Sequence, residues 1–201
     1  MKPAALILSF LPLIAFSLLA RFLPHDLIGV AALIAAVCAA AAMVTSRPVW
    51  PPKILNACSL ILFAVIAVAG FTLNHHGDRW LATWGGAGVG LVLGLVILVL
   101  VPVAPFTGQF ARESTPEAYW SSPTFRKVNR VLSASWGAAI FGLGVSRTVA
   151  AAISEHTGAR WPEVIFGLLI PVLVLVQMVK FSKSYPERVT HEPAHAPAGR
   201  P

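Results

Sequence analysis

From Trp84 to Val101 the chain reads WGGAGVGLVLGLVILVLV, without one charged side chain. A helix of that composition has no polar face to turn toward water, so it is enclosed by protein or immersed in hydrocarbon. Similar runs recur from end to end. Apolar residues make up 57% of the chain and charged residues 11%, against about 25% charged in a soluble domain, and the mean hydropathy is +0.76. Too few charges are left to cover a water-facing surface. A membrane helix needs roughly 20 apolar residues, and lipid leaves every backbone N–H and C=O to be satisfied inside the segment. The expected fold class is an all-α membrane protein, a polytopic bundle of six transmembrane helices at about 4–22, 27–45, 54–73, 81–104, 124–152 and 162–181.

Residues 1–183 are expected to form this transmembrane domain, with an interfacial connector at 105–126, and 184–201 a disordered cytoplasmic tail. The tail is rich in proline and polar residues, too poor in apolar surface to order itself. The first segment, flanked or interrupted by Pro3, Pro12 and Pro24 and preceded by Lys2, has some look of a signal peptide. It lacks a small-x-small cleavage site and is read as an uncleaved first span.

The net charge is +7 with an isoelectric point near 10.1, but the basic residues are sorted by side. On the six-span reading, Lys2, Arg47, Lys53, Arg112, Arg126, Lys127, Arg130, Lys180, Lys183, Arg188 and Arg200 lie on one side; Arg21, Arg79, Arg147 and Arg160 lie on the other. This is the positive-inside pattern, which puts both termini in the cytoplasm. The lipid bilayer is the expected partner of these cations, and nucleic acid is not. Cys38 and Cys58 fall inside spans with no metal-ligand spacing.

Gly86, Gly90 and Gly94 repeat every four residues, a stripe along which another helix backbone can come close. The partner helix lies in the same chain, where Ser133, Gly137, Gly142 and Gly144 offer small residues, or in a second copy as a homo-oligomer. Trp50, Trp80, Trp84, Trp120 and Trp161 sit near span ends as interfacial anchors. Trp136 sits well inside a span and is expected to pack between helices. Asn56, Ser59 and Gln177 are expected to bond between helices.

Chemistry finds little footing. HEPAH, from His191 to His195, has the form of H-E-x-x-H, but Pro193 would break the helix that motif needs. His75, His76 and Asp78 in NHHGDR read as a polar turn, with Gly77 as the bend. No catalytic, metal or cofactor-binding residue is assigned. Arg147 is the notable charge within a span, and two readings stand: it snorkels to the outer interface, or it contacts an anion inside the bundle.

The segment PFTGQFARESTPEAYWSSPTFRKVNR, from Pro105 to Arg130, is unlike its surroundings. Ser114-Thr115-Pro116-Glu117 and Ser122-Pro123 are two helix-start signals. Glu113 and Glu117 have Arg112, Arg126 and Lys127 as ion-pair partners. Phe125, Val128, Leu132 and Trp136 share a bundle-facing stripe. The segment reads either as a capped connector or as a docking surface for membrane protein partners, built from Arg112, Glu113, Trp120, Arg126 and Asn129.

The run FRKVNRVLSASWGAAIFGLGVSRTVAAAI, followed by ARWPEVIFGLLIPVLVLV, resembles the last two spans of the bacterial intracellular septation protein A family. Asn129, Trp136, Phe141, Trp161, Phe166 and Gly167 carry the likeness, and FLPLIAFSLLARFLP before an Ala-rich second span is similar too. Pro123-Thr124 stands here without the lysine of the family's Lys-Pro-Thr element. The resemblance implies a non-enzymatic protein of the bacterial inner membrane, linked to cell division or envelope synthesis through partner proteins. Read from the residues alone, the alternative is a small transporter or channel for a neutral or anionic solute, with Arg147 as its anion contact.

Overall fold

The computed structural model describes residues 3–45, 53–159 and 161–191. All of its regular elements are helical. Helix α1 (Pro3–Phe22) leads through a 3-10 turn (His25–Leu27) into α2 (Ile28–Thr45), followed by α3 (Ile54–Thr72) and α4 (His75–Leu100). A short α5 (Phe106–Ala111) and a 3-10 turn (Glu117–Tyr119) precede the long α6 (Pro123–Thr157). The last rod is α7 (Trp161–Val164), a π turn (Ile165–Leu169) and α8 (Ile170–His191). Among the described residues five helices are long and apolar enough to cross a membrane: His25–Thr45, Ile54–Thr72, His75–Leu100, Pro123–Thr157 and Trp161–Val189. Leu8–Phe22 is a shorter apolar helix.

The helix ends follow their side chains. Ser122 accepts the Phe125 N–H at 3.2 Å with Pro123 in the first turn, so the second start signal of the connector is used as written. Asn74 accepts the Gly77 N–H at 3.1 Å and caps α4. NHHGDR is thus a helix start, not a turn bent at Gly77: once Asn74 satisfies that N–H, the chain is helical from His75. Gly158, at φ 66, closes α6 in the left-handed region that glycine enters without strain. The last helix continues to His191, through the first residues of the 184–201 segment expected to be a disordered tail. The loop around Trp50 and the rest of the HEPAH motif lie outside the described residues.

Between helices in lipid there is little hydrophobic gain, because the tails are as apolar as the side chains; close van der Waals approach must supply the cohesion. The chain arranges this twice. On α2, Ala31, Ala32, Ala35 and Ala39 are fully buried, and Gly29 meets Gly70 of α3 so closely that a Cβ on either would strike the other's backbone. On α4, a Cβ at Gly90 would lie 2.8 Å from the Cα of Gly144, and one at Gly94 would run into the backbone of Phe141. Further along, a Cβ at Gly137 would lie 2.9 Å from Ile97 Cγ2. The glycine stripe therefore has an intrachain partner, and α4 and α6 run antiparallel with backbones in contact. Gly142, on the same helix, faces open space.

Gly144→Val puts a branched side chain against Leu91 N and the Gly90 backbone, where a Cβ would already lie 2.5 Å and 2.8 Å away. It is expected to destabilise the bundle by about 1–3 kcal/mol, read as a lower Tm of the purified protein. Gly142→Ala is expected to leave the Tm unchanged. Equal Tm values for the two variants would refute the backbone contact.

Candidate functional site

The connector turns inward. Thr107 at the start of α5 donates its N–H to Ser133 Oγ at 3.1 Å, and its hydroxyl donates to the Asn129 carbonyl at 2.9 Å. Asn129 Nδ2 donates to the Phe125 carbonyl at 2.8 Å. On the other flank of α5, Gln109 Oε1 accepts the Ile54 N–H at 2.9 Å and so supplies the first turn of α3 with a partner. Lys53 is 5% exposed, lies 4.4 Å from the Phe110 ring centroid and forms an ion pair with Glu113 at 2.5 Å. The short helix is a clamp that ties α3 to α6.

This divides the surface expected from Arg112, Glu113, Trp120, Arg126 and Asn129. Glu113 pairs with Lys53, not with Arg112, Arg126 or Lys127, because α5 folds back over the start of α3. Asn129 is buried and spent inside its own helix. Arg112 and Arg126 remain exposed, with the Arg112 guanidinium 5.1 Å from the Trp120 ring and the Trp120 indole donating to the Thr115 carbonyl at 2.9 Å. The first start signal yields only a 3-10 turn, since the Ser114 hydroxyl donates back to the Ala111 carbonyl at 3.2 Å instead of capping a new helix. Of the expected interhelical bonds, Gln177 is exposed, while the side chains of Asn56 and Ser59 are fully buried with no hydrogen-bond partner among the described residues.

A different site forms around Arg147. Its side chain turns into the bundle and Nη1 donates to Ser17 Oγ of α1 at 2.8 Å. The guanidinium crosses α4 at Gly86, where a Cβ would lie 2.9 Å from Cζ and 3.1 Å from Nη1. Gly86 was expected to serve helix packing like Gly90 and Gly94; its missing side chain instead makes the room through which Arg147 reaches α1. No carboxylate pairs with Arg147 among the described residues.

Arg147 borders a half-open cavity of about 320 Å³ lined by α1, α4, α6 and the last rod, with Phe63 of α3. The far end is formed by Phe10, Trp136 and Leu175. Trp136 stacks on Phe10 with ring centroids 4.8 Å apart and donates its indole N–H to Ser182 Oγ at 2.9 Å, so it packs between helices as expected and offers the cavity an apolar face. Ser17 and Arg147 are then the polar corner of an otherwise apolar wall.

The rod beside this corner has its own local logic. Pro171 has no N–H to donate. The chain widens before it into the π turn, with the Ile170 N–H bonding the Ile165 carbonyl. That leaves the Phe166 carbonyl without its α-helical donor, and its π-helical donor would be Pro171. Ser146, next to Arg147, donates to it at 3.1 Å. The π turn brings Gly167 and Leu168 to the cavity wall. Nothing in the sequence marks Ser17 as the partner of Arg147; a proline four residues after a Phe-Gly pair was the only signal for the π turn.

No protein-family model, curated protein or solved structure matches the chain.

Breaking the clamp from one side, by Glu113→Leu or by Lys53→Met, leaves the other charge uncompensated and is expected to cost about 3–5 kcal/mol. The double variant Lys53→Met/Glu113→Leu, which leaves no buried charge, is expected to lose less than either single variant. Chemical unfolding of the four proteins as a double-mutant cycle measures this, and additive losses would remove the ion pair from the account.

Proposed function

We propose that this is a non-enzymatic, multi-pass protein of the bacterial inner membrane that holds an anionic solute inside its helix bundle, as a small transporter does. The observation that carries the reading is Arg147: a guanidinium turned into the helix bundle, bonded to one neutral hydroxyl, with no carboxylate partner among the described residues. Ionisable groups within spans cost several kcal/mol and mark pathways or ligand sites by default. The cavity beside it, about 320 Å³, falls within the range of roughly 300–1,000 Å³ of small-molecule sites. On this reading α1 is the sixth span, the clustered basic residues lie inside, and both termini are cytoplasmic.

Two ions of like size and opposite charge test it. Tetraphenylborate is expected to raise the Tm of the purified protein and tetraphenylphosphonium to leave it unchanged, because only the anion gains the Arg147 contact. Arg147→Gln is expected to abolish the difference. Equal protection by both ions, or an unchanged response in the variant, overturns the anion reading.

A second reading, an interaction protein of cell division or envelope synthesis, is favoured by the exposed Arg112 over the half-buried Trp120 ring, with Arg126 exposed as well. A C-terminal green-fluorescent fusion is expected to fluoresce if the C-terminus is cytoplasmic; a stable but dark fusion contradicts the topology. Midcell enrichment lost on Trp120→Ala supports the second reading, and an even membrane ring removes it.

A further inference from the structure

We infer that the occupant of the Arg147 cavity is a single-chain anionic amphiphile that enters sideways from the bilayer, between α1 and the last rod. The inference rests on the reading of Arg147 as an anion contact and adds the chemistry and the route. The first ground is the polarity of the wall. One corner holds Arg147 and Ser17, and the rest is aliphatic or aromatic as far as the stacked Phe10–Trp136 pair. From residue 147 to residue 136 along α6 is about 16 Å of helix axis. A compact, water-soluble anion satisfies the corner and leaves that length of apolar wall unmatched. A carboxylate or phosphate on one hydrocarbon chain matches both.

The second ground is the mouth. Ile14 and Leu18 of α1 line the cavity and are 37% and 47% exposed; Leu168 and Val172 of the rod line it and are 41% and 51% exposed. Residues that both line a cavity and face outward are its rim. All four are aliphatic, so the rim opens onto hydrocarbon and not onto water. A hydrated ion would have to cross that rim without its water, whereas an amphiphile already has its chain in the lipid. The third ground is size. A volume of about 320 Å³ is at the low end of roughly 300–1,000 Å³ for ligand pockets, room for one chain and not two.

The test uses the full chain in phosphatidylcholine nanodiscs at alkaline pH, where a fatty carboxylate is ionised. The probe is dibromostearate, whose bromines quench indole fluorescence on contact. Wild type is expected to show a saturable quenching component that Trp136→Phe removes. Arg147→Gln is expected to weaken that component on the order of tenfold, the loss of a hydrogen bond to a charged group. The uncharged dibromostearyl alcohol is expected to bind wild type and Arg147→Gln alike, and weakly. Leu18→Phe, which narrows the rim without touching the charge or adding an indole, is expected to slow the onset of quenching from Trp136. If inorganic phosphate stabilises the protein in an Arg147-dependent way while dibromostearate gives no saturable quenching, the amphiphile inference falls and the anion reading stands. If dibromostearate quenches wild type and Arg147→Gln with equal affinity, both fall.

Discussion

The contact of Gly90 and Gly94 with Gly144 and Phe141 holds α4 and α6 backbone against backbone, and the remaining features are arranged around that line. In hydrocarbon an extra leucine gains nothing by moving from lipid to protein, so cohesion falls to close approach and to polar pairs. Removing the Cβ at these positions lets the two helices close, and the same logic seats Gly29 on Gly70 between α2 and α3. The closeness has a consequence one turn away. At Gly86 the same stripe faces not a backbone but the guanidinium of Arg147, which passes through the gap to Ser17 of α1. One repeat of small residues thus packs a helix and opens a channel for a charge.

The connector between α4 and α6 acts as the second organiser. Thr107, Gln109 and Glu113, close together on or just after α5, address α6, the start of α3 and Lys53 in turn. The Thr107 N–H at the start of α5, the Ile54 N–H at the start of α3 and the Lys53 charge beside it each find a partner that the end of a helix does not supply. The segment looked unlike its neighbours because the ends of long apolar helices need polar partners supplied locally. Its outer edge, with Arg112 over Trp120, is what remains free for other contacts.

The Arg147 corner and the π turn belong together. Ser146 supports the carbonyl freed ahead of Pro171, and Arg147, one residue on, points to the cavity that the turn helps to wall. A π turn next to a cavity is a common companion of functional sites. Here its cause is visible: a proline that cannot donate and a hydroxyl on the facing helix that can.

Composition alone determined that the chain is built of helices long and apolar enough to cross a membrane, because a helix satisfies its backbone groups within itself where side chains offer few partners. Spacing alone marked the cap at Ser122, the glycine stripe and the inward face of Val128, Leu132 and Trp136, since these depend on periodicity and local bonding. Arg147 was legible as a charge out of place, but not its direction. Whether an arginine snorkels or turns inward depends on which helix stands opposite, and residues 17 and 147 meet only after folding. The same holds for Glu113, whose partner Lys53 is remote in sequence while three nearer cations were on offer. Pairing between helices is a property of their mutual rotation, which an apolar sequence with little amphipathic contrast leaves unspecified. Only the tertiary structure decided that Gly86 belongs to a guanidinium, that Gly90 and Gly94 belong to α6, and that the cavity between them has one charged corner.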